Sequence, residues 1–372
     1  MSAPPRPYTL VAELTYRCPL RCVYCSNPIE FALMREELTT AQWRRAFSDA
    51  AVLGVVQLHL SGGEPVLRDD LAELIAHARA CDLYTNLITG GTLLDEEKLR
   101  RYRDSGLDHI QLSIQGAASE IAEKIAGVRS HEKKIAIARL ITAMGFPFTL
   151  NVVLHRLNIA EVPELIRLAA ELGAERLELA NTQFYAWGAE NRRALMPTHE
   201  QYLRAQEIAV TEIPKYRGSL EIVFVQNDYL SGEPKPCMGG WARSYMCINP
   251  AGEVLPCHAA KVIPGLQFES VRDRALGDIW RDSPGLNAFR GDAWMLEPCR
   301  SCERKTVDFA GCRCQAFMVA GNAAAADPIC RLSAHHGVIE SSQRDIDADA
   351  ELIYRDAPTS RRLTRTSSDP LR

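Results

Sequence analysis

From residue 8 to about residue 225 the chain alternates two hydrophobic patterns. Short runs rich in branched apolar residues, Tyr8–Tyr16, Val55–Leu60, Leu83–Thr89, His109–Ile114, Phe148–Leu154 and Arg176–Ala180, read as strands. Between them lie stretches whose apolar positions recur every three or four residues: Thr40–Leu53, Asp70–Ala80, Asp95–Asp104 and Val162–Leu172. Thr40, Asp70 and Asp95 stand where N-caps belong, and Gly54, Gly106 and Gly173 where helices should stop. Regular β–α alternation implies a parallel sheet and favours a partial (β/α)6 TIM-like barrel, although periodicity alone does not exclude an open sheet. Either way, chemistry belongs beyond the C-terminal ends of the strands.

After about residue 230 the pattern changes. Cysteines become frequent, helices short, and Tyr245–Asn249, Pro250-Ala251-Gly252 and Glu253–Leu255 read as a β-hairpin. The expected organisation is a flexible start over 1–7, a barrel over 8–230, a small cysteine-rich domain of hairpin and short helices over 231–345, and a mostly disordered tail over 346–372.

Composition narrows the function. With 43 basic and 47 acidic residues the net charge is −4, without the basic excess of a nucleic-acid binder. The longest apolar stretch, Ile141–Leu154, is interrupted by Thr142, Gly145, Pro147, Thr149 and Asn151, so it reads as core and not as a membrane span. The first residues lack the apolar stretch of a secretory signal, and a cytoplasmic protein is expected. Twelve cysteines in a reducing compartment point to metal or redox work.

The first cluster of chemistry follows the first strand. Cys18, Cys22 and Cys25 have the spacing C-x3-C-x2-C, and three thiolates from one loop can hold three irons of a cubane and leave the fourth open to a substrate. A structural zinc site is the alternative, but such sites usually close with four protein ligands and no fourth lies nearby. After the second strand comes Ser61-Gly62-Gly63-Glu64-Pro65. Its glycines can curl the backbone into an anion-binding nest, and Glu64 can present a carboxylate to a cationic group.

Together, this cysteine loop with Tyr24 before its last cysteine, and the Gly-Gly-Glu-Pro turn, resemble the radical S-adenosylmethionine superfamily. The resemblance implies that Cys18, Cys22 and Cys25 hold a 4Fe-4S cluster, and that Tyr24, Gly62, Gly63 and Glu64 belong to the S-adenosylmethionine site. Ser113, Gln115 and Asn151 are positional candidates for ribose or adenine contacts. Cys81 reads as plain core.

The later cysteines, 237, 247, 257, 299, 302, 312, 314 and 330, resemble the cluster-binding SPASM extension, with one departure: Asp308 occupies a cysteine slot. A carboxylate can ligate iron, though it is harder than thiolate. The resemblance implies two auxiliary iron–sulfur clusters, 4Fe-4S or 2Fe-2S. One would be held by Cys299, Cys302, Asp308 and Cys330, the other by Cys237, Cys257, Cys312 and either Cys314 or Cys247. Cys314 is favoured because it sits beside a required ligand, whereas Cys247 lies inside a hairpin strand.

Longer segments, among them Tyr84-Thr-Asn-Leu-Ile-Thr89, Asn151-Val-Val-Leu-His-Arg156, Phe289-Arg-Gly-Asp-Ala-Trp294 and Gly311-Cys-Arg-Cys-Gln315, resemble the PqqE family of PqqA peptide cyclases in pyrroloquinoline quinone biosynthesis. That family's reaction is a carbon–carbon cross-link between a glutamate and a tyrosine side chain of the precursor peptide PqqA, made through a 5′-deoxyadenosyl radical. The implied partners are PqqA, the peptide chaperone PqqD and an electron donor such as flavodoxin, with no nucleic acid and no membrane. PqqD is expected because the tail is too polar to form a peptide groove and no N-terminal recognition domain is seen. The alternatives are another SPASM-type maturase, such as a sulfatase-activating one, and a non-catalytic iron–sulfur sensor or zinc scaffold.

Overall fold

The structure is a computed structural model and describes residues 4–34 and 36–367. Nine strands form one sheet: β1 (Thr9–Glu13), β2 (Gln57–Ser61), β3 (Tyr84–Thr89), β4 (His109–Ile114), β5 (Phe148–Leu154), β6 (Arg176–Asn181), β7 (Glu221–Phe224), β8 (Tyr245–Ile248) and β9 (Val254–Leu255). Their order is β7-β6-β5-β4-β3-β2-β1-β8-β9, and every pairing is parallel except β8 with β9. All six expected strands are present within a few residues of their expected ends. β7 extends the parallel series by one.

Alternation along the strands sets the layers. Leu10, Ala12, Leu58, Leu60, Ile110, Leu112, Leu150 and Val152 are fully buried. The helices of the βα units cover this core, and Thr40–Leu53 shows how: Trp43, Ala46, Phe47 and Ala50 make one buried stripe at helical spacing. Burying a side chain such as Phe47 contributes about 1.5–3 kcal/mol. The cap of this helix is Thr39 in a capping box with Gln42, and not Thr40, whose hydroxyl instead reaches Asp70 at 2.6 Å. Asp70 therefore serves Thr40 and Arg68 instead of capping its own helix.

Alternate strand positions carry polar groups. In register across β4, β5 and β6 stand Ser113, Asn151 and Glu178, and Asn151 donates to Glu178 at 3.3 Å.

Two expectations about organisation change. The hairpin β8–β9 forms, but β8 also pairs in parallel with β1, Thr9 opposite Tyr245 and Val11 opposite Cys247. The cysteine-rich part is thus joined to the barrel by its own sheet. Of the tail, 368–372 lie outside the described residues, and the rest is not loose: Ala357–Ser367 is helical and packs on the short helical turn Ile29–Leu33. It folds because a few well-placed groups dock it, although few apolar residues mark it. Of the leading residues, 1–3 lie outside those described, while Pro7 is buried and the Pro5 carbonyl accepts from Trp280.

Candidate active site

The Cys18–Cys25 loop leaves the C-terminal end of β1, and the Ser61–Pro65 turn leaves that of β2. They lock together through the backbone. Gly63 and Glu64 donate their N–H groups to the carbonyls of Thr15 and Arg17 at 2.6 and 2.8 Å. A Cβ on Gly62 would lie 2.3 Å from the Thr15 oxygen, and one on Gly63 2.4 Å from that of Arg17. The glycines are therefore required for the cysteine loop to pass. Because those two amides are engaged, the turn is not an amide nest for an anion.

Glu64 also departs from expectation. It is fully buried, and its carboxylate accepts from the Thr89 hydroxyl at 2.7 Å and from the N–H groups of Gly90 and Val66 at 2.9 and 3.2 Å. Its carboxylate ties the turn to the end of β3. Burial raises its pKa, opposed by these hydrogen bonds.

Sequence reasoning missed Lys134. It lies in the helix His131–Ala143 on the stripe Lys134, Ile137, Ala138 and Ile141, all buried. A lysine on an apolar stripe at helical spacing was the available signal. Its ammonium donates to the Gln115 side chain at 2.5 Å and to the Ser113 carbonyl at 3.2 Å. Gln115 in turn donates to the Tyr24 hydroxyl at 3.2 Å. Gln115 thus links the Lys134 ammonium to the Tyr24 hydroxyl, whose own O–H stays available. Lys134 lies close enough to Cys18, Cys22 and Glu64 to feel their charges.

Burial pushes the Cys18 thiol up to about 12 and the Cys22 thiol up to about 11. Lys134 opposes this at Cys22, and Arg355 does so at both. A metal needs the thiolates, and these two cations supply the compensating charge.

The later cysteines fall into two sets. The sulfurs of Cys257 and Cys314 lie 4.0 Å apart, and Cys237 and Cys314 lie close enough to Cys312 to act on its thiol. Their influence holds the Cys312 thiol well below its usual range. Cys247 instead is buried beside Glu13 on the neighbouring strand. Cys314 thus stands beside Cys257, and Cys247 does not join them. In the second set Cys299, Cys302, Asp308 and Cys330 line one cavity, with Lys305 and Asp327 at its wall. Asp308 is buried, and its Oδ1 accepts from the Ala310 N–H at 2.9 Å. Asp327 links the sets, accepting from the Cys312 N–H at 2.6 Å and from Gln315 at 2.7 Å. Cys81 lies apart beside Ser48 and His77.

Between the first loop and the first of these sets stands a pair unforeseen from sequence. The Tyr185 hydroxyl is hydrogen-bonded to the His258 imidazole, and burial, with smaller contributions from Cys257 and Cys25, raises the Tyr185 pKa. Thiols and the Asp308 carboxylate are donors of the kind the implied iron–sulfur groups take, and positive charge lies beside the first loop.

Two family models match the chain. The radical SAM superfamily model matches residues 12–169, and the iron-sulfur cluster-binding SPASM model residues 237–303. The PqqA peptide cyclase of Gluconobacter oxydans is 50% identical over 95% of this chain and 99% of its own length. The chain belongs to the PqqA peptide cyclase family. A second family member, from Methylocella silvestris, is 49% identical over 95% of this chain and 97% of its own. The fold is shared with Streptococcus suis SuiB, in a crystal structure bound to S-adenosylmethionine, with a TM-score of 0.73 at 21% identity over 88% of this chain and 77% of that one. As a radical SAM protein with a SPASM extension, the chain uses S-adenosylmethionine, a 4Fe-4S cluster and further iron–sulfur clusters. No helix among the described residues is long and apolar enough to cross a membrane.

Proposed function

We propose that this chain joins a glutamate and a tyrosine side chain of the PqqA peptide through a carbon–carbon bond, in the biosynthesis of pyrroloquinoline quinone. The observation that carries this is identity of about one half to PqqA peptide cyclases over nearly the full length of both chains. S-adenosylmethionine and the reduced first cluster, when bound, supply the 5′-deoxyadenosyl radical that takes a hydrogen from the peptide.

The residues then have distinct tasks. Cys18, Cys22 and Cys25 hold the first cluster, and Gly62 and Gly63 let the neighbouring turn press against their loop. Glu64 fixes that turn to β3 as a positioning residue. Lys134, a buried cation beside the loop, holds the carboxylate end of S-adenosylmethionine. Ser113 and Asn151 stand on adjacent strands in register, where ribose or adenine can be met. Cys237, Cys257, Cys312 and Cys314 hold one auxiliary cluster, and Cys299, Cys302, Asp308 and Cys330 the other. Clusters held by these residues would accept the electron that must leave the tyrosine ring once the new bond forms. Barrel walls exclude water and hold the two peptide side chains in reach of each other.

A PqqD-type protein presents the peptide, and a low-potential protein such as a flavodoxin delivers electrons. Cross-linking, read by mass spectrometry as loss of two hydrogens from PqqA, is expected only with a PqqD-type protein present. Efficient cross-linking without it would remove the partner and keep the chemistry; no cross-link under any condition would reject the function.

A further inference from the structure

The stretch from Ile353 to Ser360 returns to the first cysteine loop and is stitched to it. Asn191 accepts from the Ile353 N–H at 2.7 Å and donates to the carbonyls of Ile353 and of Val23, each at 2.8 Å. The Arg355 N–H donates to the Arg21 carbonyl at 3.2 Å, and the Ser360 hydroxyl to that of Ile29 at 2.5 Å. Tyr354 lies under the Arg21 guanidinium and donates to the Lys124 carbonyl.

This brace carries a charge inward. Arg355 is 3% exposed. Its guanidinium donates to the Tyr16 carbonyl, two residues before Cys18, and lies over the Phe31 ring at 3.8 Å. Its buried Nε has no hydrogen-bond partner. Among the described residues no carboxylate forms an ion pair with it. A buried cation without a counter-charge is costly. The ionisable groups of the loop that feel its charge are Cys18 and Cys22.

We propose that Arg355, delivered by the tail, is a positioning residue whose fixed positive charge favours the reduced form of the first cluster. The inference rests on the assignment of Cys18, Cys22 and Cys25 to that cluster. Reduction adds one electron, from a low-potential one-electron donor, and hence one negative charge beside these sulfurs. A fixed cation in a poorly solvated loop stabilises that added charge, and the effect grows as the local dielectric falls. The tail's hydrogen bonds to the loop keep the guanidinium in place.

The test is a dithionite redox titration of the anaerobically reconstituted full chain, followed by electron paramagnetic resonance. The signal that S-adenosylmethionine perturbs identifies the first cluster. At the potential that half-reduces it in the wild type, Arg355→Gln should lower the ratio of reduced to oxidised cluster about tenfold, equivalent to 59 mV for one electron. Arg355→Lys, which keeps the charge, should stay within about twofold of wild type. Loss of the cluster in Arg355→Gln alone, with Arg355→Lys intact, would also support the charge. Wild-type ratios in both variants would overturn the proposal, as would equal shifts or equal cluster loss in both, since shape and not charge would then matter. A weaker S-adenosylmethionine affinity at an unchanged ratio would overturn it too, making Arg355 a ligand. If a Cys18, Cys22 and Cys25 to Ala triple variant kept the perturbed signal, the cluster assignment itself would fail, independently of Arg355.

Discussion

Cys257 and Cys314 bring their sulfurs to 4.0 Å across 57 residues of sequence. Cys237 and Cys314 act on Cys312, while Cys247 lies beside Glu13, and we propose Cys237, Cys257, Cys312 and Cys314 as one ligand set. Cys314→Ala should therefore remove one auxiliary cluster, seen as a fall in bound iron and sulfide, whereas Cys247→Ala should leave iron content unchanged. The reverse pattern would exchange the two residues' roles.

Asp308 shares a cavity with Cys299, Cys302 and Cys330. Asp308→Ala should alter the spectrum of one auxiliary cluster and leave the other alone. Asp308→Cys should give a spectrum of all-thiolate type. Spectra unchanged in both variants would reduce Asp308 to an acceptor for the Ala310 N–H.

Lys134→Met should weaken S-adenosylmethionine binding roughly tenfold or more, since a hydrogen bond to a charged group contributes about 1.5–3 kcal/mol. Equilibrium binding to the oxidised, reconstituted protein checks this without turnover. Unchanged affinity would leave Lys134 as a tether for Gln115 only.

Glu13 is buried between Tyr16 and Cys247, and its burial raises the carboxyl to about 7 from 4.5. The folded protein thus holds this proton more tightly than the unfolded chain does. Its stabilising contribution is complete below about pH 4.5 and is lost as pH rises through about 7. Wild-type Tm should fall from pH 5.5 to 8.5 more steeply than that of Glu13→Gln. Parallel curves would contradict the assignment.

The strands, the cysteine loop and the glycine turn were legible because periodicity and motif spacing are local. Lys134 left a weaker trace, a charge on an otherwise apolar stripe. The β1–β8 pairing left none, since nothing within β8 names its parallel partner. Arg355 was hidden for a similar reason: composition marks the tail as polar, but docking rests on a few hydrogen bonds to backbone carbonyls far away in sequence. The glycine turn was located correctly and its amides misjudged, because only the fold shows that Thr15 and Arg17 already engage them.

The proposed reaction takes hydrogen from a glutamate side chain of PqqA and joins that carbon to tyrosine. The most direct measurement is an anaerobic reaction with PqqA deuterated at its glutamate side chains, a PqqD-type protein, reductant and S-adenosylmethionine. Mass spectrometry should find deuterium in 5′-deoxyadenosine and a cross-linked peptide that has lost one deuterium and one hydrogen. Unlabelled 5′-deoxyadenosine beside intact peptide would contradict the account.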